Sequence, residues 1–351
     1  MTIVDEPGGP PGTGESDAEP ARATLVSIVV VVHNRLQFLD QAIRSALGQT
    51  HGNIQVVVVD DGSRVDPWPV VSLYEGRVEF VRKPNGGVAS ARNLGTAHAR
   101  GANILFLDDD DYLEPTAVET LLEGIASHPG TIWSAGHCAY VDEAGRTLPG
   151  RKGLSYESGD IYERMIFDCL MSCPSSVMVR TEVIRALGGF DEEVCPSEDY
   201  DLWLALAREY PIAASPAIVT NYRCHTQQIS KNQWARHYQT SLRVLQKHRQ
   251  RARIGLDSAF ARSISRVNFQ YGDSLYVSGD HAAAREQWRR SLVPASVPSW
   301  SHVLGRFAKS YVPRPMLDVL RTLAPSSRAG RAAARDRRPG RSSRELGGCK
   351  T

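Results

Sequence analysis

The sequence predicts an α/β protein built on an open, mostly parallel sheet that is flanked by helices. Runs at 27–32, 54–59 and 104–107, which are apolar except for Ser27 and Gln55, are typical of strands that are covered on both faces. Between the first two runs, segment 36–47 repeats apolar residues at helical spacing. Alternation of buried strands with amphipathic helices is the pattern of a parallel sheet.

Four further elements extend this pattern along the chain. A shorter apolar run at 78–81 predicts another strand, and 87–100 predicts a helix that follows the turn Asn85-Gly86-Gly87. A helix is expected to start near Pro115, and a late strand is expected at 217–221.

Composition excludes several classes of protein. The chain has 351 residues, 23% of them charged, and a net charge of +2, which argues against nucleic acid as the main target. No apolar run approaches the roughly 20 residues that span a bilayer. The acidic, Gly- and Pro-rich N-terminus does not resemble a secretory signal. Six cysteines without a Cys-x-x-Cys pair favour a cytoplasmic protein with reduced thiols.

Charge is distributed unevenly at the two ends. Segment 1–24 has five acidic residues and one basic residue, and is expected to be disordered. Segment 326–351 has eight basic and two acidic residues and is also expected to be disordered. Its arginines could bind anionic lipid at the inner face of a membrane, although a solvated tail is the simpler interpretation.

Polar clusters follow three of the predicted strands, at 33–35, 60–63 and 108–111. Ligands of open α/β sheets bind outside the carboxyl ends of the strands, so these clusters are expected to converge. Carboxylates at such a place suit Mg²⁺ or Mn²⁺ shared with substrate phosphates. The alternative is a solvated acidic turn that caps the helix near Pro115.

Six ordered motifs carry a resemblance to a known family. They are SIVVVVHNR, VVVVDDGS, NGGVASARNLG, FLDDDDYLEP, LGGFDE and SEDYDLWLAL. In this order they resemble family 2 glycosyltransferases of the GT-A fold, over roughly residues 25–230. The resemblance implies transfer of a sugar from a nucleotide-sugar, with UDP favoured over GDP and dTDP, to a hydroxyl acceptor.

The resemblance also assigns site residues. Contacts with the nucleotide-sugar are implied for Val31, His33, Asn34, Arg35, Asp60, Asp61, Arg92, Asn93, Asp108 and Asp109. Asp110, Asp108 and His225 are implied as ligands of Mn²⁺ or Mg²⁺, and Asp111 is left to cap a helix. His33 replaces the commoner Tyr of this family.

An acidic pair precedes the apolar run LWLALA. The resemblance implies that Asp199 is the catalytic base of an inverting transfer, and that Glu198 orients it or binds the acceptor. A base must take the proton of the attacking hydroxyl. The alternative is the enrichment of acids that is common in the first turn of a helix. The turn Gly188-Gly189-Phe190-Asp191 is expected beside the acceptor.

Beyond residue 230 the strand pattern ends. Segment 231–325 repeats apolar residues at helical spacing and predicts an all-α C-terminal domain. Gly272, Gly279, Ala284 and Trp288 resemble one tetratricopeptide-like hairpin. Cys169 and Cys173, four residues apart, are expected to be buried, reduced thiols.

These observations predict a metal-dependent inverting glycosyltransferase that acts in the synthesis of a surface polysaccharide or glycoconjugate. The acceptor could be a saccharide, a lipid-linked saccharide or a small molecule. A non-catalytic scaffold that binds sugar nucleotides is the alternative from another class.

A nucleotidyltransferase is disfavoured because no Gly-rich phosphate loop lies near residue 35. A processive synthase is disfavoured because a Gln-x-x-Arg-Trp element is absent. Sequence leaves the oligomeric state open.

Overall fold

A computed structural model describes residues 24–149, 157–226 and 233–292. The chain divides into the compact units Met1–Val297 and Pro298–Thr351, and the described residues all belong to the first. The predicted disorder of the two ends therefore falls outside the described residues, apart from Thr24. No helix within the described part of the chain is long and apolar enough to cross a membrane.

The centre of the protein is an eight-stranded sheet of order β3-β2-β1-β4-β7-β6-β8-β5. Its strands are β1 (Val26–Val32), β2 (Ile54–Asp60), β3 (Val78–Arg82), β4 (Asn103–Asp108), β5 (Tyr112–Leu113), β6 (Trp133–Val141), β7 (Val177–Arg180) and β8 (Ala213–Arg223). The helices are α1 (Leu36–Leu47), α2 (Trp68–Val71), α3 (Val88–His98), α4 (Ala117–Ser127), α5 (Tyr162–Phe167), α6 (Thr181–Ala186), α7 (Glu198–Glu209), α8 (Trp234–Arg249), α9 (Asp257–Ser278) and α10 (His281–Arg290).

The predicted parallel sheet is present in β3, β2, β1 and β4, which pair in parallel. Beyond β4 the sheet is mixed: β7 is antiparallel to both β4 and β6, and β5 is antiparallel to β8. Strands β6 and β7 have no continuous β-branched run of useful length, which is why sequence patterning did not find them.

Burial explains why the first strand is apolar at every position except Ser27. All seven residues of β1 are buried. Val29 and Val31 belong to one apolar core, and Ile28 and Val30 belong to a second core on the other face. A strand covered on both faces cannot alternate apolar with polar residues.

Strand register brings the polar clusters together. Val32 of β1 is opposite Asp60 of β2, and Val31 is opposite Asp108 of β4. The residues that follow these strands therefore emerge at the same edge of the sheet. Convergence of the clusters, predicted from the sequence, is confirmed.

The helical hairpin predicted near the C-terminus is also present, as α9 and α10. Gly279 ends α9 in the left-handed conformation, and the side chain of Asp280 accepts a hydrogen bond from the amide of Ala283 at 3.0 Å. At Gly272 a Cβ would lie 2.6 Å from the Trp288 ring, so only glycine allows this contact. The predicted boundary between domains at residue 230 stays a prediction, because helices α8 and α9 contribute to the same core as the sheet.

Candidate active site

Three carboxylates lie together where β4 ends. Asp108, Asp110 and Asp111 each offer an oxygen, and these atoms lie within 4.8 Å of one another. Asp108 is half-buried, whereas Asp110 and Asp111 are buried. Like charges this close repel strongly away from water, so neighbouring cations are required.

Arg35 and His225 supply part of that compensation. The Arg35 guanidinium lies 2.7 Å from Asp109 Oδ1 and 2.6 Å from Asp110 Oδ2. His225 Nε2 lies 2.9 Å from Asp110 Oδ2. Burial opposes ionisation of Asp110, but the contacts with His225 and Arg35 outweigh it and lower the pKa of Asp110. Burial dominates at Asp109 and raises its pKa despite the ion pair.

The Asp111 carboxylate is hydrogen-bonded within the protein. Its carboxylate accepts hydrogen bonds from Ser175 Oγ at 2.8 Å and from the amide of Arg223 at 3.0 Å. The interpretation of Asp111 as a helix cap is wrong, since the next helix begins at Ala117 with Thr116 at its N-cap position. Burial instead raises the pKa of Asp111 well above its usual value.

Arg223 and Ser175 belong to the site, and sequence reasoning missed both. Arg223 is 2% exposed; its Nε donates to the Asp110 carbonyl oxygen at 2.9 Å, and its guanidinium lies 4.4 Å from the Phe38 ring centroid. Ser175 Oγ accepts from the Asp108 amide at 3.2 Å. An arginine two residues before His225 was the one available signal, whereas nothing in the sequence distinguishes Ser175.

The Asp60-Asp61-Gly62-Ser63 turn is held by its own carboxylates. Asp60 Oδ1 accepts from the Ser63 amide at 2.9 Å, and Asp60 Oδ2 lies 3.1 Å from Arg82 Nε. Asp61 accepts from Lys83 Nζ at 2.8 Å and from the amides of Gly86 and Gly87 at 2.9 and 2.8 Å. Both carboxylates thus have partners within the protein, and their contact with a nucleotide stays a prediction.

The segment after β1 completes the same edge. Asn34 has a positive φ of 61°, and its side-chain oxygen accepts from the Arg64 amide at 2.7 Å. His33 Nδ1 lies 2.9 Å from the Asp61 carbonyl oxygen, and Val31 is buried within β1. The structure therefore places Val31, His33, Asn34 and Arg35 beside the Asp61 turn and the acidic cluster.

Arg92 joins the acidic cluster to the start of α7. Its guanidinium lies 2.8 Å from Asp108 Oδ1 and 2.7 Å from Glu198 Oε1, and the residue is 3% exposed. These carboxylates raise the pKa of Arg92, although burial opposes them.

Asn93, the neighbour of Arg92, forms hydrogen bonds with the backbone amide and carbonyl of Phe190, at 2.7 and 2.9 Å. Asn93 thereby fastens the turn at Gly189, and its predicted nucleotide contact stays a prediction.

Glu198 and Asp199 form the first turn of α7, as the sequence predicts. Glu198 is buried against Arg92, whereas Asp199 is half-buried. Burial, and then the charge of Glu198, raise the pKa of Asp199 to about 7. A carboxyl group with such a pKa can exchange a proton near neutral pH.

One cavity of about 400 Å³ connects these groups. It is lined by Arg35, Arg92, Asp108 and Asp110, by Glu198 and Asp199, and by residues of α5, α8 and α9. The acidic cluster and the candidate base therefore open into the same space. Such a volume is typical of small-molecule sites.

Cysteine residues near the cavity are free thiols. Cys173 is buried and Cys169 is partly buried, and neither forms a disulfide. Cys173 Sγ lies 3.2 Å from Cys138 Sγ, a neighbour that sequence spacing did not reveal. Burial raises the pKa of the Cys195 thiol to about 12, with a further contribution from Glu198.

The donor set suits a hard divalent cation. Asp108 and Asp110 offer closely spaced carboxylate oxygens, and His225 Nε2 lies against one of them. Oxygen ligands with a single imidazole are compatible with Mg²⁺ or Mn²⁺. The residues therefore fit the metal that the resemblance implies, and Asp111 offers a further oxygen.

Comparison with known proteins agrees with this geometry. Residues 27–187 match the model of the family described as glycosyl transferase family 2. An uncharacterized glycosyltransferase of Rickettsia conorii is 30% identical over 221 residues, which cover 59% of this chain and 35% of that protein. Chondroitin synthase of Escherichia coli is 29% identical over 212 residues, which cover 60% of this chain and 30% of the synthase. The chain thus spans about a third of the length of these relatives.

Solved structures give the same fold. The S. aureus TarS fragment 1–349 in complex with UDP superposes with a TM-score of 0.60 at 18% identity, covering 87% of this chain and 91% of that fragment. Fold and family match together define a domain of the GT-A fold that is similar to glycosyltransferases. The match to glycosyl transferase family 2 covers residues 27–187, a little under half of the chain.

Proposed function

We propose that this protein is a metal-dependent, inverting glycosyltransferase. It transfers a sugar from a nucleotide diphosphate-sugar, with a UDP-linked donor favoured, to an acceptor hydroxyl. The UDP bound to the TarS fragment supports the choice of nucleotide. The similarity to chondroitin synthase supports a role in the synthesis of a polysaccharide or glycoconjugate.

One observation carries the proposal: a carboxyl group with a pKa of about 7 shares a cavity with the arginines and aspartates at the strand-end edge. Asp199 is half-buried on the wall of this cavity. A general base works best when its pKa lies near the working pH. If the acidic turn at the edge of the sheet had only a structural role, nothing would require a carboxyl group that titrates near neutral pH in the same cavity.

Asp199 would accept the proton of the acceptor hydroxyl as the oxygen attacks the sugar. A single base on the acceptor side suits a one-step displacement, which inverts the anomeric centre. Glu198 cannot easily take this role, because its Oε1 already accepts from Arg92 at 2.7 Å. Its negative charge instead helps to keep the pKa of Asp199 high.

The donor diphosphate would lie at the strand-end edge. Asp108, Asp110 and His225 would hold the divalent cation, which supplies positive charge to the diphosphate leaving group when it is bound. Arg35 and Arg92 line the same cavity and add positive charge near that position. Because both are already paired with carboxylates, they keep those carboxylates in place before the donor arrives.

A screen of nucleotide-sugars tests the proposal. We expect one UDP-sugar to raise the melting temperature of the protein in the presence of Mn²⁺ or Mg²⁺, because a ligand of the native state stabilises it. Slow hydrolysis of the same donor should depend on the metal. If no nucleotide or nucleotide-sugar shifts the melting temperature, with or without metal, the transferase is excluded. A shift without hydrolysis or transfer would favour the non-catalytic scaffold.

We also propose that the enzyme works in the cytoplasm, in contact with the inner face of the membrane through segment 326–351. Its eight basic and two acidic residues support this, because each basic residue near an anionic surface contributes about 1 kcal/mol. Sedimentation with phosphatidylglycerol vesicles should retain the full chain and lose a variant that lacks 326–351. Equal sedimentation of both would contradict a membrane role for the segment.

A further inference from the structure

The cavity that holds Asp199 has a second wall, built by helices. Phe167 of α5, Leu245 of α8 and Val267 of α9 line it, together with the charged groups of the strand-end edge. Leu245 is buried, whereas Phe167 and Val267 are partly exposed. We call Phe167, Leu245 and Val267 the apolar wall.

Two of the three residues of this wall lie outside the matched family region, and only Phe167 lies within it. The family match ends at residue 187, whereas Leu245 and Val267 lie on helices that follow it. Helix α8 is fixed against the start of α7, since Ser197 Oγ lies 2.8 Å from Thr240 Oγ1 and Lys247 Nζ lies 2.9 Å from Asp201 Oδ2. The wall is therefore held in a defined position relative to Asp199.

The chemistry of the wall indicates what it can bind. Partly exposed apolar side chains in a cavity release water when an apolar group covers them, which favours binding. Ser263 also lines the cavity; it is 1% exposed, and its hydroxyl has no hydrogen-bond partner among the described residues. A buried hydroxyl without a partner is unfavourable, so a polar atom of a ligand would stabilise it.

We propose that the apolar wall binds an apolar group that the acceptor carries next to its reacting sugar, so that the acceptor is a glycoside of an apolar alcohol. The inference rests on the proposed function, because Asp199 then fixes where the reacting hydroxyl lies. The donor diphosphate belongs with the charged residues at the other part of the cavity. In the proposed arrangement the acceptor extends from Asp199 towards Phe167, Leu245 and Val267, which line the same cavity.

Surrogate acceptors test this directly. The probes are methyl and hexyl glycosides of glucose, galactose and N-acetylglucosamine, used with the donor that the melting screen identifies. We expect kcat/KM for the preferred hexyl glycoside to exceed that for the methyl glycoside at least tenfold. Calorimetric binding of both glycosides is measured in the same samples, so the preference is also tested without turnover.

Matched variants on α9 test whether the preference for the hexyl glycoside depends on the apolar wall. Val267→Trp fills the space beside the wall, and Val267→Thr keeps the shape of the side chain but makes it polar. Val277 lies on the same helix and is 70% exposed, so Val277→Trp and Val277→Thr are the controls. We expect both Val267 variants to lose most of the hexyl preference, and both controls to keep it. The donor-induced rise in melting temperature should be the same in all five proteins.

Two outcomes would overturn the inference, and a third would refute the proposed function. Equal kcat/KM and equal binding for methyl and hexyl glycosides in the unaltered protein would show that no apolar group is recognised. Retention of the preference in both Val267 variants would place recognition elsewhere. Absence of any donor-induced rise in melting temperature would instead refute the proposed function, and the wall would then stand or fall on the calorimetric comparison alone.

Discussion

The cavity has a strand-end wall, which includes Arg35, Arg92, Asp108 and Asp110, and a helical wall, which is the apolar wall defined above. The two differ in whether the groups that border the cavity already have partners within the protein. On the strand-end wall, the arginines are paired with carboxylates: Arg35 with Asp109 and Asp110, and Arg92 with Asp108 and Glu198. On the helical wall, partly exposed carbon atoms of Phe167 and Val267 border the cavity. The first wall is arranged in advance for a charged ligand, and the second offers an adaptable apolar surface.

This contrast indicates that the two walls recognise different kinds of chemical group. Charge recognition needs fixed partners, because a mobile or unpaired buried charge is very unfavourable. Apolar recognition needs only area and shape. We therefore expect substitutions on the strand-end wall to abolish chemistry, and substitutions on the helical wall to change the choice of acceptor.

The largest expected effect is at Asp199, where the walls meet. Asp199→Asn should lower kcat for transfer by about 10²–10⁴-fold, because the amide cannot accept the acceptor proton. The donor-induced rise in melting temperature should remain. Transfer assays and melting curves on the same preparation check this. Asp280→Asn, at a helix cap outside the cavity, is the control. Retention of more than a tenth of wild-type kcat would remove Asp199 from the reaction.

The next effect concerns Asp110 and the metal. Asp110→Ala should lower transfer at least a hundredfold and abolish the binding of Mn²⁺ in a calorimetric titration. The melting temperature should fall only moderately, because the lost contacts with Arg35 and His225 are partly offset by weaker repulsion among the remaining aspartates. Asp257→Ala is the control, since this aspartate is also paired with an arginine, but its side chain is 71% exposed. An active Asp110→Ala enzyme would contradict the proposed metal site.

The pH dependence follows from the raised pKa of Asp199, about 7. The base must be deprotonated to act, so kcat/KM should fall about tenfold for each pH unit below 7 and level off above it. In Asp199→Asn this dependence should be absent from the residual rate. A wild-type rate that is constant between pH 5 and 7 would contradict the assignment.

The same pKa has a consequence for stability. Because it lies above the usual 3.8, the folded protein holds a proton that the unfolded chain has lost between pH 4 and 7, so stability declines as pH rises through this range. Asp199→Asn avoids this cost. Its free energy of unfolding should exceed that of the wild type at pH 8, by at most about 4 kcal/mol, and the two should converge near pH 4. Denaturant titrations at both pH values measure the difference, and an Asn variant that is less stable at pH 8 would be the opposite result.

The smallest expected effect tests the strand-end wall as a rigid scaffold. Gly62 and Gly76 both have positive φ, 70° and 77°, but a Cβ at Gly62 would lie 2.5 Å from the Asn85 amide nitrogen, whereas nothing lies within 4 Å at Gly76. Both substitutions to Ala incur the strain of positive φ, roughly 1 kcal/mol. Gly62→Ala should cost at least about 1 kcal/mol more, and should weaken donor binding. Equal destabilisation, measured by denaturant titration, would show that the Asp61 turn adapts.

The sequence pattern predicted the strands and helices whose formation depends on residues close together in the chain. Strands β1, β2 and β4 are read from their apolar runs because both faces are covered. The start of α7 at Glu198 is read from acids before an apolar run. Strands β6 and β7 were not found, since their residues join the sheet only through neighbours distant in the chain.

By itself, the sequence determined the parallel half of the sheet, the convergence of its aspartates at one edge and the helical hairpin near residue 279, because these follow from local periodicity and short turns. Only the tertiary structure decided that Arg92 bridges Asp108 and Glu198, that Arg223 and Ser175 hold Asp111, and that α8 and α9 face Asp199 across one cavity. These contacts join residues far apart in the chain, and their energies depend on burial and distance, which no local pattern encodes.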